Sequence, residues 1–507
     1  MTRLLLAHDL GTSGNKAVLF GADGELLGRA VSSYETDYPG GNRAEQDPAD
    51  WWRAVCDSTR EIMRGHDPKK VAAIAFSGQM MGCLCVDAAG RPLRKHILYS
   101  DQRAQAEERT LIEKAGAETV YTTTGHRPSA SYAAAKLMWV KNNEPGVYAA
   151  TRKMLHAKDY LNFRLTGRMV TEPSDASGTN LYSLADGAWS PALVAASGLD
   201  PDKLPEIVPS TAVVGELTSK AAKALGLVPG IPVAAGAGDG LCSGVGVGSV
   251  SPGKTYNYLG SSSWISTTSA APVFDPGMRT FTWAHAVPGL FHPTGTTQTA
   301  AASYAWLKRE VCTSETAAAE AAGLSPYELM NRAAEASSPG AGGLVYLPYL
   351  QGERAPRWDT HAKGAFIGLT MRHGRAEIIR SVLEGVSMNL AIIFDIFRAQ
   401  GPIHELVVIG GGAKGALWRQ IMADIYEVEI LRSNMPEEAT SIGAAIIGGV
   451  GVGLFPGFEV AGRFFSVTDR TRPRPELYPM YRRKKELFEA CYQALKPVYP
   501  LFAALPL

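Results

Sequence analysis

Residues 5–20 read LLAHDLGTSGNKAVLF: an apolar run closed by Asp9, then Gly11-Thr12-Ser13-Gly14, Lys16 and a second apolar run. Two runs of strand length around a glycine-containing turn predict a β-hairpin. The same turn can aim successive backbone N–H groups and two hydroxyls at one point, an arrangement that binds phosphate oxygens. Asp9 at the strand end suits Mg2+, which is commonly held by one or two carboxylates, water and substrate phosphates. Lys16 adds a positive charge. The spacing is neither GxxxxGK[ST] nor GxGxxG, so the loop taken alone reads as a plain hairpin turn.

Two later turns change that reading. Residues 254–269, KTYNYLGSSSWISTTS, again give strand, Gly-Ser-Ser turn, strand, with LGSSS at 259–263 matching LGTSG at 10–14. A third glycine turn, VIGGGAKG at 408–415, follows an apolar strand and precedes a helix. Glycine there lets a flat ring or a phosphate approach the backbone, and a helix N-terminus favours anions. Between them, in AAGAGDGLCSGVGVG (234–248), Asp239 is the sole charged group among small residues. It reads either as the cap of a following helix or as a general base taking a proton from a hydroxyl; its place at the expected domain junction favours the base.

The order of elements supports duplication. A three-strand meander is followed by the helix DPADWWRAVCDSTREIMR, capped by Asp47 or Asp50, with Trp51 and Trp52 as packing residues, and then by alternating strands and helices. The second half repeats this style after the Gly/Ser-rich stretch at 245–253, taken as a hinge. Two like domains imply a cleft between them.

The chain has 507 residues, a net charge of +1 and 46% hydrophobic residues. That suits two large globular domains and gives no charge excess for nucleic acid or an anionic membrane. The run SIGAAIIGGVGVGLF falls short of the roughly 20 residues that span a bilayer and reads as a buried helix and turn. The six cysteines form no CxxC pair, and Cys83 and Cys85 read as core. With no leader-like N-terminus, a cytoplasmic globular protein is expected. The basic cluster Arg482, Arg483, Lys484 and Lys485 reads as a solvated helix face.

These motifs resemble the FGGY carbohydrate kinases, within the sugar kinase–actin–Hsp70 superfamily. DLGTSGNK and LGSSS resemble the family's two phosphate motifs, and VIGGGA its adenosine motif. GAFIGLTMRHGRAEIIRSVLE (364–384) fits the C-terminal signature, while SYAAAKLMWVKNN keeps Lys136 and Trp139 of the N-terminal one but has Ala133 where Pro, Ser or Thr is usual. LPYLQGERAP and EATSIGAAIIGG are also family-like. The xylulokinases are the nearest likeness through EQDPADWW, GQMMG, AKDYLNFRLTG and SDASGTNLY. Departures fall at Met80-Met81, Asp239-Gly240 and Tyr99-Ser100-Asp101, where Met-His, Asp-Asn and Trp-Asn-Asp are typical.

The resemblance implies an α/β protein of two duplicated actin-like (ribonuclease H-like) domains, 1–246 and 247–507, each a mixed five-stranded sheet flanked by helices, with an interdomain cleft. It implies ATP held by Gly11, Thr12, Ser13, Lys16, Gly260 and Ser261, with Gly411, Gly412 and Ala413 at the adenosine and Asp9 at Mg2+. It implies a small sugar near Met80, Met81, Asp101, Arg103 and Gly240, with Asp239 as base. The expected acceptor is a ketopentose such as D-xylulose; another ketose, a polyol or a sugar acid is the alternative. A further rival is an actin- or Hsp70-like ATPase acting on a protein partner. Dimers are frequent in the family, so a homodimer is open.

Overall fold

The computed structural model describes residues 3–503. The opening hairpin forms: β1 (Leu4–Leu10) pairs antiparallel with β2 (Gly14–Gly21), and β2 with β3 (Leu26–Ser33). β4 (Val71–Gly78) lies parallel to β1. It is buried along its whole length, as the near-continuous small and apolar run VAAIAFSG requires of a strand covered on both faces. With β5 (Val213–Glu216), β6 (Pro232–Ala234) and β7 (Ala237–Gly238), the sheet runs β5-β6-β4-β1-β2-β3, and β7 joins β4.

The second sheet has β8 (Thr255–Leu259), β9 (Ser263–Thr267), β10 (Phe281–Ala284), β11 (Phe291–Thr297), β12 (Glu405–Ile409), β13 (Glu429–Ser433) and β14 (Val467–Thr471), in the order β10-β11-β9-β8-β12-β13-β14. Without β7 and β10 the two sheets follow one plan. Three antiparallel strands adjoin two parallel ones, and an antiparallel strand closes the edge. The duplication is therefore real, but each sheet has seven strands, not five. The additions are the antiparallel edge strands β5 and β14 together with β7 and β10.

Helices cover these sheets: α1 (Pro48–Ile62), α2 (Ala157–Thr166), α3 (Asp239–Gly246), α4 (Ala301–Glu310), α5 (Arg375–Arg398), α6 (Ala416–Tyr426), α7 (Ala439–Gly451) and α8 (Tyr478–Leu495). Asp47 caps α1, accepting from Ala49 N at 2.9 Å. Between the two sheets α3 and α7 touch backbone to backbone. A Cβ on Gly246 would lie 1.8 Å from Ala439 O, and one on Gly443 1.9 Å from Cys242 O. α7 comes from the second half of the chain yet packs on β1 and β4 of the first sheet. The apolar run at 441–455 is thus a buried helix and turn, and no helix among the described residues is long and apolar enough to cross a membrane. Cys83 and Cys85 share one buried cluster. The expected solvated face on α8 fails at Lys484. Because α8 packs against α5, its ammonium is buried 2.6 Å from Glu384 Oε2 and from Gly340 O.

Candidate active site

The first loop is held from behind. Gly11, Thr12 and Ser13 give their carbonyls to Tyr34 OH, Gln46 Nε2 and Tyr34 N. Gln46 is fixed in turn by Trp51 Nε1 at 2.9 Å and Gln79 Nε2 at 2.8 Å, so Trp51 does more than pack. With the carbonyls drawn back, the Thr12 and Ser13 N–H groups have no protein acceptor among the described residues, and both side chains are exposed. The second loop is built likewise. The first N–H groups of α4 and the N–H just before it take the carbonyls of Gly260 and Ser261 at 2.8–3.1 Å, leaving the Ser261 side chain exposed. The Tyr258 ring lies on Gly260, where a Cβ would be 2.5 Å from Cε1.

At the third turn Gly410 has φ +86°, and Gly412 abuts Leu259 so closely that a Cβ would lie 2.5 Å from its Cγ. Gly411 faces open space. The Ala413 side chain, expected at the adenosine with Gly411 and Gly412, is fully buried in the core.

Asp9, Lys16 and Ser77 meet because they are direct partners across β1, β2 and β4. Ser77 Oγ donates to Asp9 Oδ1 at 3.3 Å, and Lys16 Nζ lies 3.7 Å from Asp9 Oδ2. Burial pushes the Asp9 carboxyl up, while Lys16 opposes it. The residues fit a water-bridged Mg2+: a half-buried carboxylate closes the strand beside a loop with free N–H groups. Lys16 is not free in this state. Its ammonium donates to Glu437 O at 2.7 Å and lies 3.2 Å from Glu438 Oε2.

Asp239 opens α3, with Gly238 as the cap, and its Oδ1 accepts Gly240 N at 2.7 Å. The cap reading of Asp239 is thus corrected by one residue: Gly238 holds the cap and Asp239 is the first residue of the helix. Burial first, then the nearby charge of Asp9, raises the Asp239 carboxyl to about 7. Gly240 has nothing within 4 Å of a Cβ, so open space adjoins Asp239. Met80 packs on Gly238. Met81 holds φ +66°, and Lys136 Nζ donates to its carbonyl at 3.0 Å.

Asp101 and Arg103, expected at the acceptor, have their polar groups engaged with protein partners. Asp101 is fully buried and binds Ala44 N at 2.7 Å and the Arg103 guanidinium at 2.7–3.0 Å, while Arg103 also meets Glu45 Oε1 at 2.8 Å. Tyr99 and Arg354, to which the sequence reading gave no role, lie on the Asp239 side. The Tyr99 phenol is raised by burial and by Asp239. Arg354 is close enough to Tyr99, His126, Tyr132 and Lys136 to shift each of them. Arg127 and Arg354 both flank the Trp358 ring, at 5.1 and 5.9 Å, and neither has a carboxylate within ion-pair distance among the described residues. GERAP was legible as a motif, but nothing in it says that Arg354 reaches the first domain.

The comparisons with known proteins agree with this geometry. Residues 4–246 match the FGGY family of carbohydrate kinases, N-terminal domain, and 255–452 match its C-terminal domain. The chain is 32% identical to a gluconokinase of Bacillus licheniformis over 511 residues, covering 99% of this chain and 98% of the relative. It is also 32% identical to the xylulose kinase of Escherichia coli (strain K12) over 496 residues, covering 98% and 100%. The structure of a ligand-bound xylulose kinase from Lactobacillus acidophilus superposes with a TM-score of 0.92 at 26% identity, over 99% of this chain and 100% of that one. Duplicated sheets, both halves matched in order by the family's two domains, and relatives about one-third identical that align end to end establish that this chain belongs to the FGGY family of carbohydrate kinases.

Proposed function

We propose that this protein transfers the γ-phosphate of ATP to a hydroxyl of a small polyhydroxy acceptor, with Asp239 as the base. The observation that carries this reading is a carboxyl raised to about 7 at the start of α3, beside open space at Gly240. A base poised near neutral pH can accept a proton and release it. The acceptor oxygen attacks the γ-phosphorus, the bond to the β–γ bridging oxygen breaks, and the hydroxyl proton passes to Asp239. Gly11, Thr12, Ser13, Gly260 and Ser261 hold the phosphates, and Gly411 and Gly412 adjoin the adenosine. Lys16 exchanges Glu438 for a phosphate oxygen. Asp9 would hold Mg2+, which when bound would supply charge neutralisation at the phosphates. Catalysis is positioning and charge stabilisation. The division of labour is 1–246 for the first loop and most of the acceptor site, and 247–507 for the second loop and the nucleoside, with Arg354 and Trp358 reaching the acceptor from the second half.

For the acceptor, D-xylulose and a sugar acid share this chemistry. The Arg127–Trp358–Arg354 group favours the sugar acid, because two guanidiniums without carboxylate partners suit a planar carboxylate. The test is ADP release by the wild type and Asp239→Ala over D-xylulose, a polyol and an aldonate. The wild type should respond to one of them, most strongly to the aldonate. Asp239→Ala should lose at least about 100-fold of that turnover while still binding ATP, the scale of general-base loss. An ATPase indifferent to every acceptor, or a variant with near-native turnover, would refute the assignment.

A further inference from the structure

Behind Asp239 lies a buried ionic cluster that the chemistry above does not use. Lys158 Nζ on α2 stands 2.7 Å from Asp159 Oδ1, 2.9 Å from Asp175 Oδ2 and 3.2 Å from Glu172 Oε1, and every side chain is at most 1% exposed. His156 Nδ1 lies 3.5 Å from Asp159 Oδ2. His156, Asp159 and Asp175 bring ligand atoms within 4.8 Å of one another, as a cation site would, but the cation these carboxylates hold is the Lys158 ammonium. Burying three carboxylates around one ammonium is costly, and a packed apolar core is often as stable. The cluster therefore calls for a role beyond stability.

One path leads from it to the reaction. Glu172 accepts Ser174 N, Asp175 N, Ser174 Oγ and Ser210 Oγ at 2.5–2.9 Å. The Ser174 hydroxyl has a single proton and gives it to Glu172, so its oxygen presents only lone pairs on the other side. There it accepts Gly238 N at 2.9 Å. Gly238 is the residue before Asp239 and caps α3. A Cβ there would lie 2.3 Å from the Met80 sulfur, so any side chain would have to displace Met80. The backbone that delivers Asp239 is thus pinned on one side by Met80 and on the other by a hydroxyl whose orientation the ion cluster fixes.

We infer that Ser174, oriented by the Glu172–Lys158 cluster, is a positioning residue for Asp239. The inference rests on the reading of Asp239 as the base. A fixed carboxylate matters because misplacement by about 1 Å can cost on the order of 100-fold in rate.

The test compares Ser174→Ala, Ser174→Thr and Ser210→Ala with Asp239→Ala, by steady-state kinetics and thermal unfolding. Ser174→Ala should lower kcat roughly 10- to 100-fold with KM for ATP within about twofold. Ser174→Thr, which restores the hydroxyl, should recover most of the loss. Ser210→Ala removes another hydroxyl from Glu172 but has no side-chain link to Gly238, and should stay near native. Ser174→Cys, nearly isosteric but a weak donor and acceptor, serves if the alanine variant does not fold, with the same loss expected. A native kcat in folded Ser174→Ala, an equal loss in the threonine variant, or an equal loss in Ser210→Ala would each overturn the inference. If Asp239→Ala is inactive while Ser174→Ala is native, only this inference fails. If Asp239→Ala is active, the base assignment fails as well.

Discussion

At the scale of single residues, Asp239 and Arg354 each carry a prediction. The Asp239 carboxyl is raised to about 7 by burial and by the like charge of Asp9. A base must be deprotonated, so turnover should fall about tenfold per pH unit below that value and level off above it. Difference infrared spectra of the nucleotide-free protein against Asp239→Asn should show a carboxyl titrating near 7; a midpoint near 4 would remove the electrostatic argument. The second prediction concerns Arg354. If it meets a carboxylate, Arg354→Gln should raise KM for an aldonate roughly 10- to 100-fold, the scale of a lost charge-assisted hydrogen bond. KM for a neutral ketose should move less than about threefold. Equal effects on both acceptors would argue that Arg354 only shapes the cleft. The sequence marked Asp239 by its isolation among small residues. It did not mark Arg354, which lies over a hundred positions downstream and reaches Tyr99 only after the halves fold together.

At the scale of elements, the contact of α3 with α7 is the seam of the molecule. Gly246 and Gly443 let the two backbones meet, and either Cβ would lie under 2 Å from a carbonyl oxygen. Gly443→Ala should therefore destabilise the fold by about 1–3 kcal/mol, the usual cost of overpacking, or more if the helices must separate. The denaturant midpoint measures this, and an unchanged midpoint would mean that the close contact is absent in solution. Strand-loop-strand and helix patterns were readable from spacing because each element buries one face or both. The extra strands β7 and β10 were not, since runs of two and four residues carry no periodic signal. Lys484 was misread for a related reason. A basic run looks solvated until the neighbouring helix supplies Glu384 to bury it.

At the scale of the whole molecule, the segment entering α7 clasps the first domain. Glu438 lies 3.2 Å from Lys16 and 3.0 Å from Arg29, and Glu437 pairs with Lys414 of the third turn at 2.6 Å. One stretch thus touches the opening hairpin and the third glycine turn together. By itself the sequence determined the duplicated α/β plan, the three glycine turns and the isolated Asp239, because these depend on local spacing and on backbone freedom that only glycine has. The tertiary structure alone decided which charges are free. It paired Asp101 with Arg103, set Lys158 among three carboxylates behind Asp239, and left Arg127 and Arg354 at Trp358 without an ion pair among the described residues. The physical reason is that a charged group's role follows from its desolvation and its partners, and both come from parts of the chain far apart in sequence.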